Sequence, residues 1–183
     1  NHAGTVFPFD AVMIGTAIQK EHPLPRWTRA MVLNWAFELP FISYFMRRIG
    51  GMPANQANLK RLLASDEQVM VFPEGAKGFG KPYSERYQLQ RFGRGGFVEV
   101  ALETGTPIVP VAVVGSEEIY PKIGQSDAAA KLLGAPYVPI TPTFPLLGPL
   151  GLLPLPSRWR IESLEPVALP EDGPGASEDR SLV

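Results

Sequence analysis

His2 and Asp10 are the residues of this chain best suited to move a proton. Imidazole has an ordinary pKa of about 6.5, so it takes up and returns a proton near neutral pH. A carboxylate on its other ring nitrogen fixes the tautomer and stabilises the imidazolium. Seven residues, Ala3 to Phe9, separate the two. Either that loop bulges and returns Asp10 to His2, or Asp10 is a helix-start acid favoured by the helix dipole. The second histidine, His22 in Lys20-Glu21-His22-Pro23, reads as an exposed loop residue.

A second group lies further along. Phe72-Pro73-Glu74-Gly75 closes an apolar run. It puts Glu74 at the carboxyl end of a strand, where open α/β sheets place their sites. Pro-Glu-Gly is also a competent turn. Lys77, Lys81, Arg86, Arg91 and Arg94 follow against the single acid Glu85, with Gly78, Gly80, Gly93, Gly95 and Gly96 among them. Glycines let main-chain N–H groups approach an anion and the cations supply its countercharge. A solvated basic loop is the plainer alternative. Gly93-Arg94-Gly95-Gly96 lacks the Lys-Ser/Thr of a Walker loop and gives no reading of nucleotide hydrolysis.

The His-Asp pair, the Phe72–Gly75 block and Val109-Pro110-Val111-Ala112-Val113 come in that order. The ordered set resembles the glycerolipid acyltransferase family, also called the lysophospholipid or 1-acylglycerol-3-phosphate acyltransferases, over roughly residues 1–115. The resemblance implies that His2 is the base and Asp10 its orienter. It implies that Phe72, Pro73, Glu74 and Gly75 bind the acceptor, and that the valine block lines an acyl groove. The basic loop, with Lys77, Arg91 and Arg94, would then grip phosphates of acyl-CoA, the phosphopantetheine of an acyl carrier protein, or lipid headgroups.

Two departures stand out. The gap between His2 and Asp10 is longer than the family pattern. An arginine that binds the acceptor's phosphate is expected in the second block, here Gly50-Gly51-Met52-Pro53-Ala54-Asn55-Gln56, yet Asn55 and Gln56 occupy its place. Arg47 and Arg48 come too early to match. A neutral glyceride, another alcohol lipid, or a phosphate held by Lys77 or Arg94 all stay open as acceptors.

The elements that must position these groups follow from local signals. Pro8 and Asp10 start a helix, and a helix is predicted over roughly 26–39, with Trp27, Met31, Trp35 and Leu39 on one stripe. A shorter helix is predicted over 41–49, and another capped by Asn55 and running to about Ala64, with Leu59, Leu62 and Leu63 inward. Buried strands are predicted at 68–72 and 107–114, and a third strand at 158–164. A helix is predicted over 95–104, stopped by Gly105. The expectation is an α/β fold with a mixed, largely parallel sheet covered by helices.

The 183 residues suit a single acyltransferase domain, and 45% hydrophobic residues exclude a disordered chain. The chain opens on Asn1 rather than Met, and Ser177 to Val183 look like the opening of an unfinished helix. It reads as the middle of a longer protein. A net charge of −1 gives no argument for nucleic acid. With no cysteine there is no thiol nucleophile and no zinc-thiolate site. Residues 132–156 form a run of 25 without a charge, but seven are prolines, which rules out a transmembrane helix. The run is either a loop folded over the core or a flap facing a membrane or an acyl chain.

Together these features predict an O-acyltransferase that moves a fatty acyl group onto the hydroxyl of a glycerolipid or related lipid. It would use acyl-CoA or acyl carrier protein as co-substrate and require neither cofactor nor metal. It would work at the cytoplasmic face of a membrane as a peripheral or monotopic protein. A thioesterase or lipid hydrolase, and a lipid-binding module without catalysis, are the alternatives.

Overall fold

The computed structural model describes residues 9–38, 42–92, 95–134, 137–167 and 169. In chain order the helices are α1 (Phe9–Glu21), α2 (Trp35–Glu38), α3 (Ile42–Arg48), α4 (Gln56–Ala64), α5 (Gly75–Phe79), α6 (Gly96–Thr104) and α7 (Asp127–Leu133). The strands are β1 (Thr28–Val32), β2 (Met52–Pro53), β3 (Gln68–Met70), β4 (Val111–Val114), β5 (Gly124–Gln125), β6 (Pro139–Ile140) and β7 (Arg160–Ser163). The chain divides into two compact units. The first holds residues 1–13, 74–91 and 112–162, and the second holds 14–73, 92–111 and 163–183.

The second unit carries a three-stranded parallel sheet in the order β2-β1-β3. Met31 pairs with Met52 and Arg29 with Val69. Met31, Leu59, Leu62 and Val100 form its buried core, with Met52, Val69, Val71 and Phe97 packed against them. α4 and α6 therefore cover one face of the sheet. Both helices are closed by local chemistry. The Asn55 side chain accepts from the Asn58 N–H at 2.8 Å, and Gly105 ends α6 in the left-handed conformation, φ +62.

The predicted helix over 26–39 is corrected: its first half is the central strand β1, and only α2 is helical. β1 satisfies its backbone on both edges through β2 and β3, and that pairing overrides a helix-like apolar spacing. Arg26–Asp66 and Arg29–Glu67 ion pairs, at 2.6 and 3.2 Å, join the residues flanking and forming β1 to the approach to β3. Of the predicted stripe, Met31 is buried, Trp27 is 79% exposed, and Leu39 lies outside the described residues.

The first unit is built around Ile119 and Tyr120, with Phe9 and Trp159 against them. The rings of Phe9 and Tyr120 lie 6.2 Å apart. β4 pairs with β7, and β5 with β6 antiparallel. The strand predicted over 107–114 is shorter than expected and not buried throughout: in β4 only Val113 is buried, while Val111 and Val114 are exposed.

Residues 139–155 of this unit form an ordered platform. Phe144 N–H donates to Thr141 Oγ1 at 3.0 Å, the Tyr120 hydroxyl to Leu152 O at 2.8 Å, and Leu155 N–H to Ile119 O at 3.1 Å. Leu146, Leu147, Leu150 and Leu153 nevertheless stand 57–84% exposed. Among the described residues no helix is long and apolar enough to cross a membrane. The unfinished helix expected from Ser177 lies outside them.

Candidate active site

Buried polarity is concentrated in the first unit. Among the described residues the buried polar or charged ones are Asp10, Glu74, Lys81, Ser116, Lys122 and Thr141, and all belong to it. Burying a charge is costly without partners, so such a concentration marks chemistry or a built polar network.

His2 lies outside the described residues. Asp10 is fully buried in the first turn of α1, where the helix dipole favours a carboxylate. Its Oδ1 accepts from the Ala11 N–H at 2.9 Å.

Glu74 immediately precedes α5 and is 5% exposed. Its Oε1 accepts from the Gln90 N–H at 3.0 Å. Its Oε2 is buried with no hydrogen-bond partner among the described residues. A carboxylate oxygen left so is expensive, and in a native fold it calls for an explanation such as a missing donor. α5 closes tightly over this carboxylate. A Cβ at Gly78 would stand 2.2 Å from Glu74 Oε2 and 2.6 Å from Glu74 Cβ. Gly78 is therefore required by contact with Glu74, a job the sequence reading had given to an approaching anion.

The basic loop splits into separate roles. Lys77, in α5, and Arg91 are exposed, and Arg94 lies outside the described residues. Lys81 is not available to a ligand: its side chain is 3% exposed and its Nζ lies 2.5 Å from Glu117. Arg86 stacks on Tyr83 and Tyr87, at 4.6 and 5.5 Å from the ring centroids. Lys122 holds the loop's start through Gly80 O at 2.5 Å, and burial lowers its pKa. Glu117 also accepts from the Tyr87 N–H at 2.6 Å. Lys81, Glu117 and Lys122 thus form a buried scaffold that sets the loop and with it the Gln90 N–H. The sequence shows Lys81 only as one of the loop's cations and gives no sign of Glu117 or Lys122, because the pairs are far apart in the chain.

In the second unit, Phe72 and Pro73 follow β3 and are half-buried. Asn55 is occupied as the cap of α4. Gln56 donates to Glu99 Oε2 at 2.5 Å and to Gly96 O at 3.2 Å, both in α6. The amide at the expected arginine position is thus engaged by a neighbouring helix.

A mixed α/β fold with a small parallel sheet, and a buried Glu74 in a Phe-Pro-Glu-Gly block, are consistent with an acyltransferase domain. The chain belongs to the glycerolipid acyltransferase family: the model of the Acyltransferase family matches residues 1–114. It is similar to the uncharacterized protein Rv0502 of Mycobacterium tuberculosis (strain H37Rv), 53% identical over 91% of this chain and 46% of that protein. It is similar to the uncharacterized protein ML2427 of Mycobacterium leprae, 52% identical over 91% of this chain and 45% of that protein. A more distant similarity, 35% identity over 39% of this chain and 10% of the relative, is to the chloroplastic phytyl ester synthase 2 of Arabidopsis thaliana. The chain spans about half the length of the mycobacterial relatives, 46% of Rv0502. No solved structure matches.

Proposed function

We propose that this domain transfers a fatty acyl group from acyl-CoA or acyl carrier protein to a hydroxyl of a glycerolipid or related lipid at a membrane's cytoplasmic face. The observation that carries the reading is Glu74 Oε2, buried in the family's acceptor block and without a hydrogen-bond partner among the described residues. On this reading the Glu74 carboxylate accepts from the acceptor's second hydroxyl or orients the attacking one. His2 takes the proton of the attacking hydroxyl as its oxygen bonds to the thioester carbonyl carbon. The tetrahedral intermediate then expels the thiolate, which takes up that proton from the imidazolium. Asp10 keeps the imidazole in the right tautomer.

The test is thiol release from acyl-CoA by the full-length protein, with lysophosphatidate, monoacylglycerol or no acceptor. Release only in the presence of a lipid alcohol, with product ester formed one for one, is expected. The neutral glyceride should be used at a rate comparable to lysophosphatidate, because Gln56 carries no charge and is engaged by Glu99. Release without any alcohol would make the protein a hydrolase, and no release under any of the three conditions a binding module.

The exposed leucines support the membrane part of this proposal. Replacing Leu146, Leu147 and Leu150 with serine should weaken partition onto phospholipid vesicles roughly a hundredfold, at about 1 kcal/mol for each half-inserted leucine. Melting should change little, because these side chains are 84%, 57% and 67% exposed. Unchanged vesicle binding with a large loss of stability would return the platform to ordinary core.

A further inference from the structure

Three arginines of the second unit converge on one cleft. Arg29, Arg47 and Arg61 line an open cavity of about 400 Å³ together with Gly50, Gly51, Asn58 and the β2 residues Met52 and Pro53. The parallel register sets Met31 opposite Met52, so Arg29 lies level with Gly50 at the amino ends of β1 and β2. Open α/β sheets place their catalytic groups at the other, carboxyl, end. Phe72 and Pro73 follow that end of β3. The cleft shares Gly50, Gly51, Met52 and Pro53 with the second block, but neither Asn55 nor Gln56, where the acceptor's phosphate clamp is expected, lines it.

Arg29 and Arg47 are held so that part of each guanidinium stays available. Arg29 uses Nε and Nη2 on Glu67, at 3.4 and 3.2 Å. Its Nη1 faces the Gly50 turn, 3.3 Å from where a Cβ would stand. Gly50 has φ +84, which favours glycine and leaves that approach open. Arg47 lies over the Phe37 ring at 5.5 Å, and its Nε edge meets Ser43 Oγ at 3.5 Å. Among the described residues, neither Arg47 nor Arg61 has a carboxylate within ion-pair distance. Of the three, only Arg29 is paired. Both sit in the last turn of a helix, α3 and α4, where a cation is favoured. That explains a cation at each helix end, but not their convergence with Arg29.

Like charges gathered in one cleft repel, and an anion with several oxygens relieves the repulsion by accepting from more than one planar fork. We infer that this cleft binds a phosphate ester, carried either on the headgroup of an anionic lipid or on a free soluble molecule. The inference does not depend on acyl transfer.

The experiment uses the full-length protein and two probes at physiological ionic strength: inorganic pyrophosphate, and phosphatidylcholine vesicles with or without phosphatidate. The Arg47→Gln/Arg61→Gln double variant should lose at least tenfold in affinity for whichever probe binds. Each charge-assisted contact is worth about a factor of ten. Arg48→Gln is the matched control: it removes a cation from the same last turn of α3, and Arg48 stacks on Tyr44 at 5.0 Å without lining the cleft. Loss confined to phosphatidate vesicles assigns a lipid headgroup, and loss for pyrophosphate assigns a free phosphate ester. Both removed arginines are exposed, so folding should survive, and Arg61→Glu provides a second test with a larger expected loss. The inference is overturned if the wild type binds neither probe, or if Arg48→Gln loses as much as the double variant.

Discussion

His2→Ala should reduce acyl transfer by roughly 10²- to 10⁴-fold, the usual contribution of a positioned general base. The melting temperature should stay near that of the wild type, and measuring it separates lost chemistry from a lost fold. Asp10→Asn should also lower turnover, by fixing the wrong tautomer or leaving it unset. Asp10 is fully buried in the first turn of α1, so this variant also carries a stability cost from the lost helix-dipole interaction. The two losses separate in the pH profile. An acid limb set by protonation of the base should vanish in His2→Ala. Near-full turnover in His2→Ala, with an unchanged pH profile, would remove His2 from the mechanism.

What could be read from the residues depended on how local the determining interaction was. α4 and α6 were legible because their ends are set within one turn, by Asn55 on the Asn58 N–H and by Gly105 in the left-handed conformation. β1 was not. Its apolar spacing suits a helix, and only pairing with β2 and β3 on both edges makes it a strand. The same holds for the basic loop. Five cations near five glycines look alike in sequence, and only the fold buries Lys81 against Glu117 while leaving Lys77 and Arg91 exposed. The acceptor block was legible as a type of residue after a strand. The Gln90 N–H that holds Glu74, and the Gly78 that makes room for it, were legible only as geometry.

That geometry makes Gly78→Ala a sharp test of the acceptor block. The new methyl group would stand 2.6 Å from Glu74 Cβ, which is fixed to the backbone, and 2.2 Å from Oε2. The carboxylate must swing away and the α5 backbone must shift from Glu74 Cβ, breaking the bond from the Gln90 N–H and withdrawing Oε2 from its buried position. If Oε2 receives a hydrogen bond from the acceptor, the loss of one charge-assisted bond of about 1.5–3 kcal/mol lowers kcat/KM for the acceptor roughly 10- to 150-fold. Glu74→Gln reaches the same end without a clash. Its single amide oxygen can still accept from Gln90, while an N–H₂ replaces the accepting Oε2. The two variants should fall together in kcat/KM for the lipid alcohol. Gly105→Ala controls for stability alone: φ +62 strains alanine by about 1 kcal/mol, nothing lies within 4 Å of its Cβ, and it caps α6 in the other unit. A Gly78→Ala enzyme that melts lower yet keeps its kcat/KM, as Gly105→Ala should, would mean that the acceptor does not use the Glu74 carboxylate where the fold holds it.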